Sequence, residues 1–213
     1  MEKFKYNKSK YNFADEIKKL YNISNLDKIH SEWDQATNYK ILNDAKTDQR
    51  TVYHKHFYNN VNTTNWYSLY KKFIKEVIIK IVGEPIYFQK VPTFRIHQPN
   101  NIAVAAYHRD SEYSHSIHEM NFFLPLTKAF GNNTIWAETK VDKDDYKPLE
   151  ANYGEMWYWS GATLKHGNKL NDTGKSRISV DFRIIPISKY QDEGKQSITN
   201  QTKMILGEYW KEC

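Results

Sequence analysis

The sequence predicts a mainly β protein with flanking α-helices, an antiparallel barrel or jelly roll whose N-terminal helices pack on one sheet. Three observations lead there. From Pro85 to about residue 187 the chain runs as short segments rich in β-branched and aromatic residues, parted by turn residues. Their connections are short, which favours antiparallel pairing in a barrel or double sheet. Ahead of them lies a stretch with helical periodicity, and 213 residues fit one domain.

Taken in order, Phe13, Ile17, Leu20 and Tyr21 fall on one face of a short helix. A longer helix is expected over 65–82, where Trp66, Leu69, Tyr70, Phe73, Ile74, Val77, Ile78 and Ile81 follow the i, i+3, i+4, i+7 stripe. Thr64 can cap its start, and Gly83 and Pro85 end it. A stripe that wide must pack on something large, and the outside of a sheet supplies it. Strands are expected over 86–90, 93–98, 102–109, 118–126, 134–139, 147–151, 155–160, 164–166 and 177–185. The turns between them fall at Pro99-Asn100-Asn101, Gly131-Asn132-Asn133, Tyr153-Gly154 and Asn171-Asp172-Thr173-Gly174. Residues 1–85 then make a helical buttress, 86–187 a jelly roll, and 188–213 a tail with a last helix around Met204, Leu206 and Tyr209.

Composition removes several function classes. Aromatic residues make up 15% of the chain, too many for a disordered protein. The single cysteine, Cys213, allows neither a disulfide framework nor a Cys-ligated zinc or iron–sulfur site. Lys80 breaks the longest apolar stretch, so no membrane span is expected. The N-terminus carries no apolar signal region, and a reducing, cytoplasmic location follows as the expectation. The net charge of +6 comes from 31 Lys and Arg, of which only five are Arg. The lysines are dispersed, so a solvated surface fits them better than a nucleic-acid-binding face.

Candidate chemistry gathers at His108-Arg109-Asp110. On a strand, positions 108 and 110 point to one face, so an imidazole and a carboxylate converge. His166, on a later strand, is the natural third ligand. Two histidines and one carboxylate on one side of a metal form the facial triad of non-haem Fe(II) oxygenases. Eleven residues past His166, the segment from Arg177 alternates Arg177, Ser179, Asp181 and Arg183 with Ile178, Val180, Phe182 and Ile184. Either this is an edge strand with its polar face in water, or the polar face turns inward. Inside a barrel an arginine is costly unless it meets an anion. Arg177 with Ser179 would then hold the distal carboxylate of a bound acid.

His108-Arg109-Asp110, His166 and Arg177-Ile178-Ser179 together resemble the metal and co-substrate pattern of the Fe(II)/2-oxoglutarate-dependent dioxygenases. Residues 107–113, 119–127, 133–138 and 166–183 resemble the streptomycin-biosynthesis-type branch of that superfamily. The likeness covers roughly residues 94–186. It implies a double-stranded β-helix of the cupin-like kind, with Fe(II) on His108, Asp110 and His166 as both metal ligands and catalytic residues. It implies 2-oxoglutarate on Arg177 with Ser179 assisting, and oxidation of a small-molecule substrate by dioxygen with release of succinate and CO2. Asn121 takes the inward parity if Phe122 and Leu124 face the helices, and its amide could reach the same co-substrate. Trp136 and Glu138 share a face, as pocket lining or as core and solvated strand. Arg183 is either a second carboxylate contact or the partner of Asp181, and at strand rise it sits ~20 Å beyond Arg177, near the opposite rim.

The remaining histidines read as bystanders: His115 and His118 on the surface, His54 and His56 on one strand face as structural or rim residues. Two rival functions carry over to the structure. One is a redox-silent, cupin-like metal-binding or isomerase protein, which has no need of Arg177. The other is a nucleic-acid-directed dioxygenase, suggested by charge alone. The sequence names neither the prime substrate nor the oligomeric state.

Overall fold

The helical stripes and the strand alternation meet along one interface, which organises the chain. The structure, a computed structural model, describes residues 1–37, 50–103, 106–197 and 202–213. Its helices are α1 (Phe13–Tyr21), α2 (Ile29–Glu32), α3 (Val52–Asn60), α4 (Trp66–Phe73) and α5 (Ile79–Val82). α4 and α5 form one rod through a π-helical turn at Ile74–Ile78. The extra residue of that turn advances the stripe, so Trp66, Tyr70, Phe73, Ile74 and Ile78 are buried while Ile81 is only half-buried. Thr64 Oγ1 accepts the Trp66 N–H at 3.2 Å, and Gly83 ends the rod at φ +81°.

The strands are β1 (Glu2–Lys5), β2 (Ile86–Gln89), β3 (Thr93–His97), β4 (Met120–Pro125), β5 (Ile135–Ala137), β6 (Lys147–Pro148), β7 (Glu155–Trp159), β8 (His166–Asn168), β9 (Arg177–Pro186) and β10 (Trp210–Glu212). Seven build a sheet in the order β1-β7-β4-β9-β2-β10, with β3 also on β9. The other three build a small sheet, β6-β5-β8. All the strand pairs are antiparallel. Among the described residues no strand ladder joins the two sheets, so the hydrogen bonding gives two sheets and shows no closed barrel.

β9 is the axis of the large sheet. β4 covers one edge, Met120 to Pro125 against Ile184 to Ser179, while β3 and then β2 cover the other. Its Ile178, Val180, Phe182 and Ile184 enter the main apolar core with Phe122 and Leu124 of β4 and with Phe13, Phe57, Trp66 and Phe73 of the helices. Phe182 stacks on Phe122 at 5.2 Å, and Phe94 of β3 stacks on Phe57 at 4.3 Å. The helices therefore buttress one face of this sheet. On its other face a second cluster ties Phe123 and Trp159 to Ile135 and Ala137 of the small sheet.

Three expectations are corrected. The tail forms no helix among the described residues: Gly207 stands at φ +91°, the Ile205 carbonyl takes three successive N–H groups in a tight turn, and β10 then joins β2. His54 and His56 lie on α3, not a strand; His54 pairs with Thr51 Oγ1, and His56 with the Leu20 carbonyl. The strand expected over 102–109 is not seen in its described part, and 104–105 lie outside the described residues; His108 makes only an isolated bridge to His166. β1 was not expected at all, and it extends the sheet by pairing with β7.

Candidate metal centre

His108 and His166 are set by that bridge, which closes with N–H···O distances of 3.0 and 2.9 Å. Arg109 between His108 and Asp110 is extended, at φ −106° and ψ 141°, so the two flanking side chains share a side without a full strand. Asp110 then opens a 3₁₀ turn, its N–H donating to the Gly161 carbonyl at 2.8 Å. The donor atoms of His108, Asp110 and His166 all lie within 4.8 Å of one another.

The donor chemistry is sorted atom by atom. His108 Nδ1 lies 2.9 Å from the Ala106 carbonyl, and His166 Nδ1 lies 3.0 Å from that of Leu164. A carbonyl only accepts, so each Nδ1 donates to it and each Nε2 is the nitrogen left facing Asp110. Both Nε2 atoms stand 3.7 Å from Asp110 Oδ1. Burial opposes a charge on His166, and its pKa falls to about 4. Burial also opposes ionisation of Asp110, but the Arg183 guanidinium outweighs it and holds the carboxyl well below its usual range. The centre thus offers two imidazole nitrogens and one carboxylate, the set that suits a divalent transition metal.

Asp110 Oδ2 has different neighbours. It accepts from Asn121 Nδ2 at 2.5 Å and from Arg183 Nη2 and Nε at 2.8 and 3.1 Å. Asn121 Oδ1 in turn accepts the Gly161 N–H at 3.2 Å. Arg183 therefore does not pair with Asp181 and does not stand apart from the centre. Asp181 pairs with Arg95 at 3.2 Å, and the loop bearing Asp110 comes down on the Arg183 end of β9. Asn121, expected on a co-substrate, is spent here on Asp110 and Gly161.

Arg177 and Ser179 point the same way, three and two same-face positions back from Arg183 along β9, and both are buried. Arg177 Nε donates to the Asn133 carbonyl at 3.0 Å, Nη1 donates to Ser179 Oγ at 2.6 Å, and the guanidinium carbon lies 5.5 Å from the centre of the Phe123 ring. Trp136 is turned elsewhere. Ala137 is the register partner of His166 and shares its face, so Trp136, one residue away, faces the opposite side, beneath Lys169. Glu138 is fully buried, but it accepts backbone N–H groups of Lys165 and Asp144 and stays outside the triad. His118 is exposed, whereas His115 binds Glu119 at 2.7 Å directly behind Arg183.

Two neighbours of the centre were given no role from the sequence. A Cβ on Gly161 would lie 2.6 Å from Asn121 Nδ2 and 2.9 Å from Asp110 Oδ2, so glycine is required there. No distinct signal marks it in the sequence, since Gly161 lies in the turn whose Thr163 and Leu164 N–H groups reach the Ser160 carbonyl and so looks like an ordinary turn glycine. Tyr209 is carried in by the tail and lies 3.5 Å from Arg183 Nη1 through its hydroxyl. No local pattern marks it.

A chain that turns two histidines and a carboxylate inward between two antiparallel sheets is a mainly β protein with a candidate metal centre. More particularly, it is 35% identical over 208 residues to the streptomycin biosynthesis protein StrG of Streptomyces griseus, across 98% of this chain and 96% of that one. The chain belongs to the StrG family. No family model matches it. Among solved structures it is similar to AviO1 of Streptomyces viridochromogenes, at 14% identity and a TM-score of 0.47 over 87% of this chain and 88% of that one. It is likewise similar to the apo form of the non-heme monooxygenase ThoJ, at 10% identity and a TM-score of 0.47 over 85% and 71%.

Proposed function

We propose that the chain is an Fe(II)- and 2-oxoglutarate-dependent oxygenase acting on a small molecule. The observation that carries this reading is the division of labour on the inner face: Oδ1 of Asp110 faces the Nε2 atoms of two imidazoles, while Arg177 and Ser179 lie buried on the same face of β9. His108, Asp110 and His166 would hold the metal from one side and leave its other positions open. A bound iron would supply dioxygen activation coupled to conversion of 2-oxoglutarate to succinate and CO2.

The chain's own residues do the rest. The Ala106 and Leu164 carbonyls keep the histidine protons on Nδ1. Arg177 would meet the distal carboxylate with its guanidinium, held in place by the Asn133 carbonyl and Ser179 and with the Phe123 ring beside it. A small-molecule substrate fits the arginine inventory better than nucleic acid does. Arg95, Arg109 and Arg183 are paired with Asp181, Asp142 and Asp110, and Arg177 is buried, which leaves Arg50 alone exposed to reach a phosphate backbone. The relative's name, a protein of streptomycin biosynthesis, also supports action on small molecules.

Anaerobic addition of Fe(II) and then 2-oxoglutarate tests the reading. A visible charge-transfer band from the chelated keto acid is the expected result. Metal uptake with no such band, and no 2-oxoglutarate binding, favours the redox-silent cupin-like alternative.

A further inference from the structure

Arg183 is a mostly buried cation beside a candidate metal ligand, a placement that costs free energy unless every contact is used. Its guanidinium takes Oδ2 of Asp110 with two nitrogens, at 2.8 and 3.1 Å. From behind, Glu119 Oε2 stands 3.7 Å from Nε, and Glu119 is itself fixed by His115 Nδ1 at 2.7 Å and the Ser116 N–H at 3.0 Å. The backbone N–H of Arg183 donates to Gln89 Oε1 at 3.1 Å, which pins this point of β9. Asn121, the β4 register partner of Arg183, adds the third donor to Oδ2. The same carboxylate's Oδ1 faces the two imidazoles and none of these donors.

We propose that Arg183 is a positioning residue of the metal centre: with Asn121 it occupies Oδ2 of Asp110, so that Asp110 presents Oδ1 alone to the metal. The inference rests on the metal reading above and adds to it the reason for the ligand's denticity. A carboxylate with both oxygens free can chelate and close one of the positions the co-substrate needs. One held by three donors on Oδ2 cannot rotate to do so. Gly161 belongs to the same device, because a side chain there would displace Asn121 and Oδ2 together.

The test is a titration of the metal-free, full-length protein with Co(II), read by visible absorption for affinity and coordination and by circular dichroism for folding. Arg183→Met is expected to lower Co(II) affinity about 10–100-fold, the usual effect of losing an outer partner of a ligand. It should also shift the d–d bands, as Asp110 becomes free to chelate. Arg183→Lys should recover part of both, since an ammonium keeps the charge but not the fork. Gly161→Ala should shift the bands in the same way with every charge retained. A folded Arg183→Met with wild-type affinity and bands overturns the proposal. If that variant does not fold, wild-type bands in both Arg183→Lys and Gly161→Ala overturn it equally. A wild-type protein that takes up no Co(II) overturns the metal reading itself, a result distinct from either.

Discussion

The two faces of β9 are built from the same ten residues by opposite physics. Towards the helices stand Ile178, Val180, Phe182 and Ile184, none more than 1% exposed and all in one apolar cluster. Towards the small sheet stand Arg177, Ser179, Asp181 and Arg183, each with a specific polar partner. Burial of apolar area is non-directional, so the helix face is constrained by volume. The inner face is constrained by direction, because each buried charge must keep its partner's geometry. The fold supplies stability on one side of a strand so that it can hold charge on the other.

The largest expected effect breaks the inner face alone. Asp110→Ala should abolish tight Fe(II) binding, measured by anaerobic titration, because the only carboxylate of the triad is lost. It should also destabilise the metal-free protein by about 3–5 kcal/mol in denaturant unfolding, since Arg183 loses its closest anion. Retained iron affinity in a folded Asp110→Ala would end the triad assignment. Phe182→Ala works on the other face and should cost a similar ~3–5 kcal/mol through cavity formation against Phe122 and Tyr70. Its metal affinity, measured where it remains folded, should stay near wild type. Metal loss without unfolding would mean that the two faces are not separable.

This contrast also explains what the sequence revealed. The alternation along 177–185, the parity of Asn121 and the convergence of His108 with Asp110 depend on side-chain direction, which local backbone geometry fixes. The extended Arg109 was enough for the last, even without a strand. The position of Arg183 depends instead on which loop crosses which end of β9, a tertiary fact with no local signal, and strand rise alone sent it to the wrong rim. The same holds for Tyr209 and β10. Met204, Leu206 and Tyr209 of the tail fit a helix loosely, and Gly207 together with the free edge of β2 decides otherwise. Trp136 was misplaced for a narrower reason: parity within β5 was right, but which parity faces inward follows from its register with His166.

A sharper cut lies within the inner face, between the two arginines. Arg177→Ala should raise the 2-oxoglutarate requirement about tenfold to a hundredfold, the equivalent of the ~1.5–3 kcal/mol carried by hydrogen bonds to charged groups. Its metal affinity should change little, because Arg177 contacts Asn133 and Ser179 and no triad residue. Arg177→Lys should recover only part of the loss. Succinate release at varied 2-oxoglutarate measures this. A variant that loses metal instead would place Arg177 in the role argued for Arg183.

The smallest effect probes the helix side, at an ion pair on its edge. Glu76, on the π-helical turn, accepts from the Tyr11 hydroxyl at 2.6 Å and pairs with Lys10 at 2.8 Å, tying the segment after β1 to the long helical rod. Those two contacts, led by Lys10, lower its pKa to about 2. A carboxylate whose folded pKa is depressed contributes stability above its unfolded value near 4.5 and loses it as pH falls towards 2. The pair is solvent-exposed, so the contribution is small and screened by salt. Glu76→Gln should therefore be slightly less stable than wild type in urea at neutral pH. The gap should close between about pH 4.5 and pH 2, and should narrow at neutral pH in high salt. A gap that persists unchanged at pH 2 would mean that Glu76 acts through packing, and that the helix face owes nothing to charge even at its edge.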